Sequence, residues 1–284
     1  MFLVVFLYIA FIAFIVFSLK KAAEFAKMPM HGRWELYPVP KEKGKGHYGG
    51  SYYEEVKWYE KKRETSLGAE IIDMMKEILF IKKLFDNQRP LWWLSYAMHL
   101  GIYLIIGWLV LLFIAFFISH PVFNVLITLC GAAGIILVMV GSGGLLIKRL
   151  VQEELKIYTT GQEYFNLAFL FVVAASGFLN WIIFDPALSY GHQLMKSLLT
   201  LTPFSAGPLL TVHLLLAGLV IIYIPLTKMS HYVGKFFTFH KVFWDNEPYL
   251  PGNEISVKVK EGMNYKPRGK WAALHYPGNQ HEEK

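Results

Sequence analysis

Four histidines in this chain of 284 residues stand in or beside long apolar runs, where a group able to carry charge is costly and requires a reason. Two lie in the stretch TVHLLLAGLVIIYIPLTKMSHYV, residues 211–233, with His213 near one end and His231 near the other. Eighteen residues separate them, which on one continuous helix is five whole turns, so both imidazoles share a face with roughly 27 Å of rise between them. That is about the thickness of a hydrocarbon core, an arrangement that a transmembrane electron carrier needs and a plain anchor does not. The other two are His99, in LSYAMHLGIYLIIGW, and His120, in ISHPVF, twenty-one residues apart. Their rise on one helix is roughly 31 Å, close to that of the first pair, but the phase differs by about 60° and Pro121 ends the run.

The elements that must position these side chains are membrane spans. Hydrophobic residues make up 55% of the chain and the mean hydropathy is +0.37, too apolar for a soluble domain of this length. Apolar runs at 1–19, 91–118, 122–147, 164–184 and 206–227 each approach the length that crosses a bilayer as a helix. The expected fold is therefore all-α, an integral membrane bundle of five transmembrane helices. The first run has no basic residue before it and no small-x-small cleavage site after it, which favours a span over a signal peptide.

Charge sets the orientation. Lys20 and Lys21 follow the first run, the connection ISHPVF has no Lys or Arg, and the next connection holds Lys148, Arg149 and Lys156. Residues 185–205 carry Lys196 alone, and the tail after the fifth run carries nine basic residues. Of the 28 Lys and Arg residues 27 thus fall on one side, which places the N-terminus outside and the C-terminus in the cytoplasm. The net charge of +7 reflects this topology, and no nucleic-acid partner is expected. The single cysteine, Cys130, excludes both thioether-attached haem and an iron–sulfur cluster on this chain, so any cluster that exchanges electrons with it belongs to a partner.

Four regions follow. Residues 1–19 form an N-terminal transmembrane helix. Residues 20–90 form a cytoplasmic segment, loop-like through GRWELYPVPKEKGKGHYGGSYYEE and then amphipathic, with Ile71, Ile72, Met75, Ile78, Leu79 and Phe85 at helical spacing for a helix lying on the membrane surface. Residues 91–233 form a four-helix membrane domain, entered past Trp92 and Trp93 at interfacial level. Residues 234–284 form a cytoplasmic tail rich in Pro, Gly and aromatic residues, suited to draping over a partner. Within the third region, 187–201 reads equally as a short interfacial helix or as a loop skimming lipid. No internal repeat of the transporter kind is visible.

Taken singly, each histidine has an ordinary explanation. His99 can be hydrogen-bonded to a neighbouring helix, and the others can be interfacial. Together they point further, because the run holding His99 heads outward and the run holding His231 returns, leaving both in the cytoplasmic half. A bis-imidazole haem b between them follows, with Gly101 and Gly107 admitting a flat macrocycle or a close helix neighbour. His213 then needs a partner near the outer surface, and His120 is the histidine there. Tyr190, His192 and Lys196 on the outer connection are polar candidates for a quinone site that the sequence does not otherwise locate.

With MHLGIY on the second span and HLLLAGLVIIYIPLTKMSH on the fifth, the chain resembles the gamma subunit of respiratory nitrate reductase and its relatives. Those relatives are the cytochrome b subunit of membrane-bound heterodisulfide reductase and the matching subunit of sulfite-reductase-associated complexes; the tail FTFHKVFWDNEPY looks more like the heterodisulfide-reductase side. The resemblance implies that His99 and His231 ligate a haem near the cytoplasmic partner and that His213 ligates an outer haem. It departs where the nitrate reductase pattern has a second histidine ten residues after the first, because Leu109 stands there, so a second haem uses His120 or another group or is missing. The function implied is a haem b subunit of a respiratory complex in the prokaryotic cytoplasmic membrane, carrying one or two haems. It would exchange electrons between menaquinone or another quinone and a cytoplasmic iron–sulfur, heterodisulfide-reductase-like partner. An outer-face cytochrome c or further membrane subunits are additional possible partners. The rival readings are a nitrate reductase membrane anchor and a non-redox transporter whose histidines relay protons.

Overall fold

In the computed structural model of the chain, the residues described are 1–27, 56–57, 67–118, 120–237, 251–252 and 254–264, all helix, turn or short connection with no strand among them. The loop expected over 32–55 and most of the partner-binding tail lie outside them. Five helices are long and apolar enough to cross a membrane: α1 (Phe2–Lys27), α4 (Arg89–Phe117), α5 (Pro121–Val151), α7 (Gly161–Phe184) and α9 (Pro208–Tyr223), the last prolonged by a 3₁₀ turn to Leu226. These are the five runs read from the sequence. Between them stand α2 (Leu67–Phe80), α3 (Lys82–Asn87), α6 (Glu153–Tyr158) and α8 (Ser189–Thr200), and after them α10 (His231–Phe237) and α11 (Glu254–Met263).

The chain divides into two units, Met1–Ala23 with Leu67–Gly234, and Glu24–Ser66 with Lys235–Lys284. In the second, α11 occupies part of the tail that shows no clear period in sequence, and the Gly252 N–H before it donates to Ser256 Oγ at 2.9 Å. The first unit holds all five long helices, and the rest of this description concerns it.

In the first unit α4 packs on α5, α5 on α7 and α7 on α9. Where lipid replaces water, helices gain little from burying apolar groups against one another and associate through close backbone approach and hydrogen bonds. The α4–α5 contact shows the first of these. Gly101 of α4 lies over the backbone of Gly134 and Val138, and Gly141 of α5 lies over that of Leu94 and Met98, so the helices run antiparallel with almost no side chain between them. Gly101 therefore serves helix packing and is not the flat wall for a macrocycle that the sequence allowed; Gly107 faces open space. The second device joins α7 to α9, where the Tyr223 hydroxyl donates to Asn166 Oδ1 at 2.8 Å.

Helix α1 runs parallel to α9. Its Leu3 and Val4 share a buried cluster with Leu210 and Leu214, the Phe6 ring covers Gly218, and Phe14 stacks on Tyr232 at 5.8 Å. Rising numbers on one helix meet rising numbers on the other, so both helices start at the same end of the bundle.

The connection 187–201 is a helix, α8, flanked by Leu188 and Leu201 in the left-handed region at φ 54°. Buried Asp185 offsets that strain by accepting from Ser189 N, Ser189 Oγ and Tyr190 N at 2.6–2.9 Å, which satisfies first-turn donors that no N-cap side chain reaches. The amphipathic helix expected before the second span is present as α2, ending at a left-handed Ile81. Two of its last carbonyls are claimed by α4: Trp92 Nε1 donates to Phe80 O at 2.7 Å and the Tyr103 hydroxyl to Ile78 O. Its C-terminal turn is thus fastened to α4 at the depth of Tyr103, because orphaned helix carbonyls need donors wherever they lie.

One sequence expectation fails here. The continuous helix over 211–233 is interrupted after Tyr223. Pro225 has no N–H to continue the ladder, the chain tightens to 3₁₀ over Ile224–Leu226, and Thr227 is fully extended at φ −125°, ψ −176° before a second 3₁₀ turn, Lys228–Ser230, leads into α10. Five uninterrupted turns between His213 and His231 do not exist, so their shared face cannot be inferred from spacing.

The glycine contacts yield a test. A Cβ on Gly141 would stand 2.7 Å from the Leu94 carbonyl oxygen, whereas one on Gly107 meets nothing within 4 Å. Gly141→Leu is expected to destabilise the bundle by about 2 kcal/mol or more by forcing α4 from α5, and Gly107→Ala to leave it unchanged or slightly more stable, as read from thermal unfolding in detergent.

Candidate functional site

Helix α4 carries His99 ten residues past Arg89, half-buried. Its Nδ1 lies 2.7 Å from the carbonyl of Ser95, one turn earlier. A carbonyl only accepts, so the proton is on Nδ1 and Nε2 keeps its lone pair. His231 opens α10, just past the interruption, and its Nδ1 lies 3.4 Å from the carbonyl of Lys228. That contact is long, but it orients the ring in the same sense. The centroids of the two rings lie 6.0 Å apart, with planes inclined at 59°.

That separation bears on a metal. Two imidazoles bound to one ion from opposite sides, each at about 2 Å, have ring centres about 6 Å apart. Helices α4 and α9 are not among the closely packed helix pairs. Among the described residues no group of three or more His, Cys, Asp or Glu side chains could hold a bare metal ion. A porphyrin brings its own four in-plane nitrogens, so two imidazoles could complete the coordination of its iron, and His99 and His231 are the two that lie close together.

His213 is placed differently. It lies on α9 against α7, where Gly177 leaves room for the ring: a Cβ there would come within 3.3 Å of three imidazole atoms. Its Nδ1 is 3.0 Å from Ser176 Oγ, whose own proton goes to the Val173 carbonyl at 2.8 Å. The hydroxyl can then only accept from the imidazole, so His213 also holds its proton on Nδ1. His120 precedes α5 as its exposed N-cap, its Nδ1 accepting from Val122 N at 3.2 Å. The structure brings His99 and His231 together. It shows no ring contact or hydrogen bond between His213 and His120.

At the same end of the bundle as His231, Lys228 approaches Glu163 at 3.8 Å. Glu163 completes a capping box at the start of α7, accepting from Thr160 N at 2.7 Å. At the other end Tyr190 lines a cleft with Asn180 and the first residues of α9, while His192 and Lys196 are not among its lining residues. Sequence reasoning missed Ser176, Gly177, Asn166 and Asn180. The signal available was a polar residue inside an apolar run, which in lipid has to find a partner.

Removing the Ser176 hydroxyl strands a buried imidazole N–H, whereas removing both partners strands nothing. Ser176→Ala is expected to cost about 1–3 kcal/mol of stability, and Ser176→Ala with His213→Leu to cost less than the two single changes summed, in a double-mutant cycle followed by unfolding. The chain matches no family model, no curated protein and no solved structure, so the reading of the site rests on its own geometry.

Proposed function

We propose that the chain is the haem b-containing membrane subunit of a respiratory complex, passing electrons between the quinone pool and a cytoplasmic iron–sulfur partner of the heterodisulfide-reductase type. The observation that carries the reading is the proximity of His99 and His231, ring centres 6.0 Å apart. When bound, haem b supplies a one-electron carrier whose potential depends on its axial ligands and on the polarity around it.

The residues of this chain do the rest. His99 and His231 would hold the haem iron. The Ser95 carbonyl keeps the His99 proton on Nδ1, leaving Nε2 free to bind a metal and raising the basicity of the ring, and the Lys228 carbonyl would act likewise on His231. His213 and His120 are not brought together in this way, so the reading takes one haem per chain. The half-buried Cys130 stands alone, which leaves clusters to the partner. In this reading the membrane is the cytoplasmic membrane of a prokaryote, with the His99–His231 end on the cytoplasmic side and the N-terminus outside; the excess of Lys and Arg at that end supports the orientation, and the parallel course of α1 and α9 is compatible with it. Menaquinone or another quinone is the membrane-borne redox partner.

A pyridine haemochrome assay with iron quantitation on the purified chain tests this. One haem b per chain is expected, lost in His99→Ala and in His231→Ala and retained in His120→Ala. Two haems, one of them lost in His120→Ala, would reinstate the outer pair, and a colourless wild-type protein would overturn the reading.

A further inference from the structure

We infer that Tyr223 and Tyr232 are positioning residues for His231: each fixes one end of the interrupted segment that brings its imidazole to His99, Tyr223 through Asn166 of α7 and Tyr232 through α1. What the imidazole binds rests on the function proposed above; what holds the imidazole in place rests on the following geometry.

The segment between the two tyrosines is stiff. Pro225, Thr227 and Ser230 are buried, and the proline ring fixes its own φ. Ser230 N and Oγ both donate to Thr227 O, at 3.0 and 2.8 Å, and Met229 N donates to Thr227 Oγ1 at 3.3 Å. A link whose polar groups are satisfied within itself moves as one piece, so the place of His231 is decided by what holds the ends of that piece.

At the near end stands Tyr223, the last residue of α9. Its hydroxyl donates to Asn166 Oδ1 at 2.8 Å, and its ring meets those of Phe165 and Phe169 edge-on at 5.5 and 5.8 Å, so three residues of α7 hold one side chain. Asn166 is only 8% exposed, and a carboxamide buried to that extent needs its hydrogen bond. At the far end Tyr232, the neighbour of His231 in the chain, stacks on Phe14 of α1 at 5.8 Å with planes 16° apart and shares a hydrogen bond with Ser18 Oγ. Lipid offers no partner to either hydroxyl, so the two satisfy each other. Helix α1 thereby takes part in the site without contributing a ligand. Between the ends, Lys228 approaches Glu163 at 3.8 Å, but its side chain is 59% exposed and such a pair contributes at most about 1 kcal/mol, so the tyrosines carry the positioning.

The test is electron paramagnetic resonance of the oxidised, haem-loaded chain in detergent, with thermal unfolding followed in parallel. The g values of a low-spin ferric haem follow the orientation of its imidazole ligands, so they register a displaced His231 where a loss of stability alone would leave them unchanged. Two variants serve. Tyr232→Phe removes one hydroxyl from an exposed position, and Asn166→Leu with Tyr223→Phe removes donor and acceptor together and strands neither. Each is expected to keep one haem per chain, to shift and broaden the low-spin signal, and to release haem to apomyoglobin about three- to tenfold faster than the wild type. Variants that unfold at lower temperature yet keep the g values and release rate of the wild type would overturn the inference and leave the haem reading standing. A wild-type chain without haem would overturn both.

Discussion

The interruption after Tyr223 is the feature on which the candidate site depends. Had the helix of the fifth run continued, His231 would be fixed to the face of His213 by the pitch alone. Pro225 stops the ladder, Thr227 swings the chain into an extended step, and His231 restarts it as the first residue of α10. His231 is thereby freed from the register of α9 and comes to lie beside His99, ring centres 6.0 Å apart. Breaking a helix in lipid exposes backbone groups, and here local side chains recover part of the loss: Thr227 Oγ1 accepts from Met229 N at 3.3 Å and Ser230 Oγ donates to Thr227 O at 2.8 Å.

The bundle itself is held by contacts elsewhere. Glycine-mediated backbone approach locks α4 to α5, and the Asn166–Tyr223 hydrogen bond ties α7 to α9. Trp108 adds a wedge at the far end, its half-buried indole between Gly131 of α5 and Gly191 of α8, with no acceptor for its buried N–H among the described residues. These are contacts of shape and hydrogen bonding, the kinds that remain available when the surroundings are as apolar as the side chains.

Much of the fold was legible because spanning helices obey a length rule that hydropathy exposes. The run read as 91–118 is α4 at Arg89–Phe117, and 122–147 lies within α5 at Pro121–Val151. The start of α7 was not read: it lies at Gly161, three residues ahead of the apolar run, where Thr160 and Glu163 form a capping box that hydropathy alone does not register. What sequence could not give was phase across an interruption. Pro225 was visible, but proline is common inside transmembrane helices and often only kinks them, so nothing in the pattern announced an extended Thr227. His99 and His231 were nonetheless paired from the topology, because antiparallel spans bring similar depths together whatever the local register.

The claim that two histidines of this chain face one iron is tested most directly by electron paramagnetic resonance of the oxidised protein, comparing wild type with His231→Gly before and after addition of imidazole. A low-spin, bis-imidazole spectrum is expected in the wild type, a high-spin spectrum in the variant, and return of the low-spin signal when imidazole fills the space. A spectrum indifferent to the loss of His231 would contradict the account.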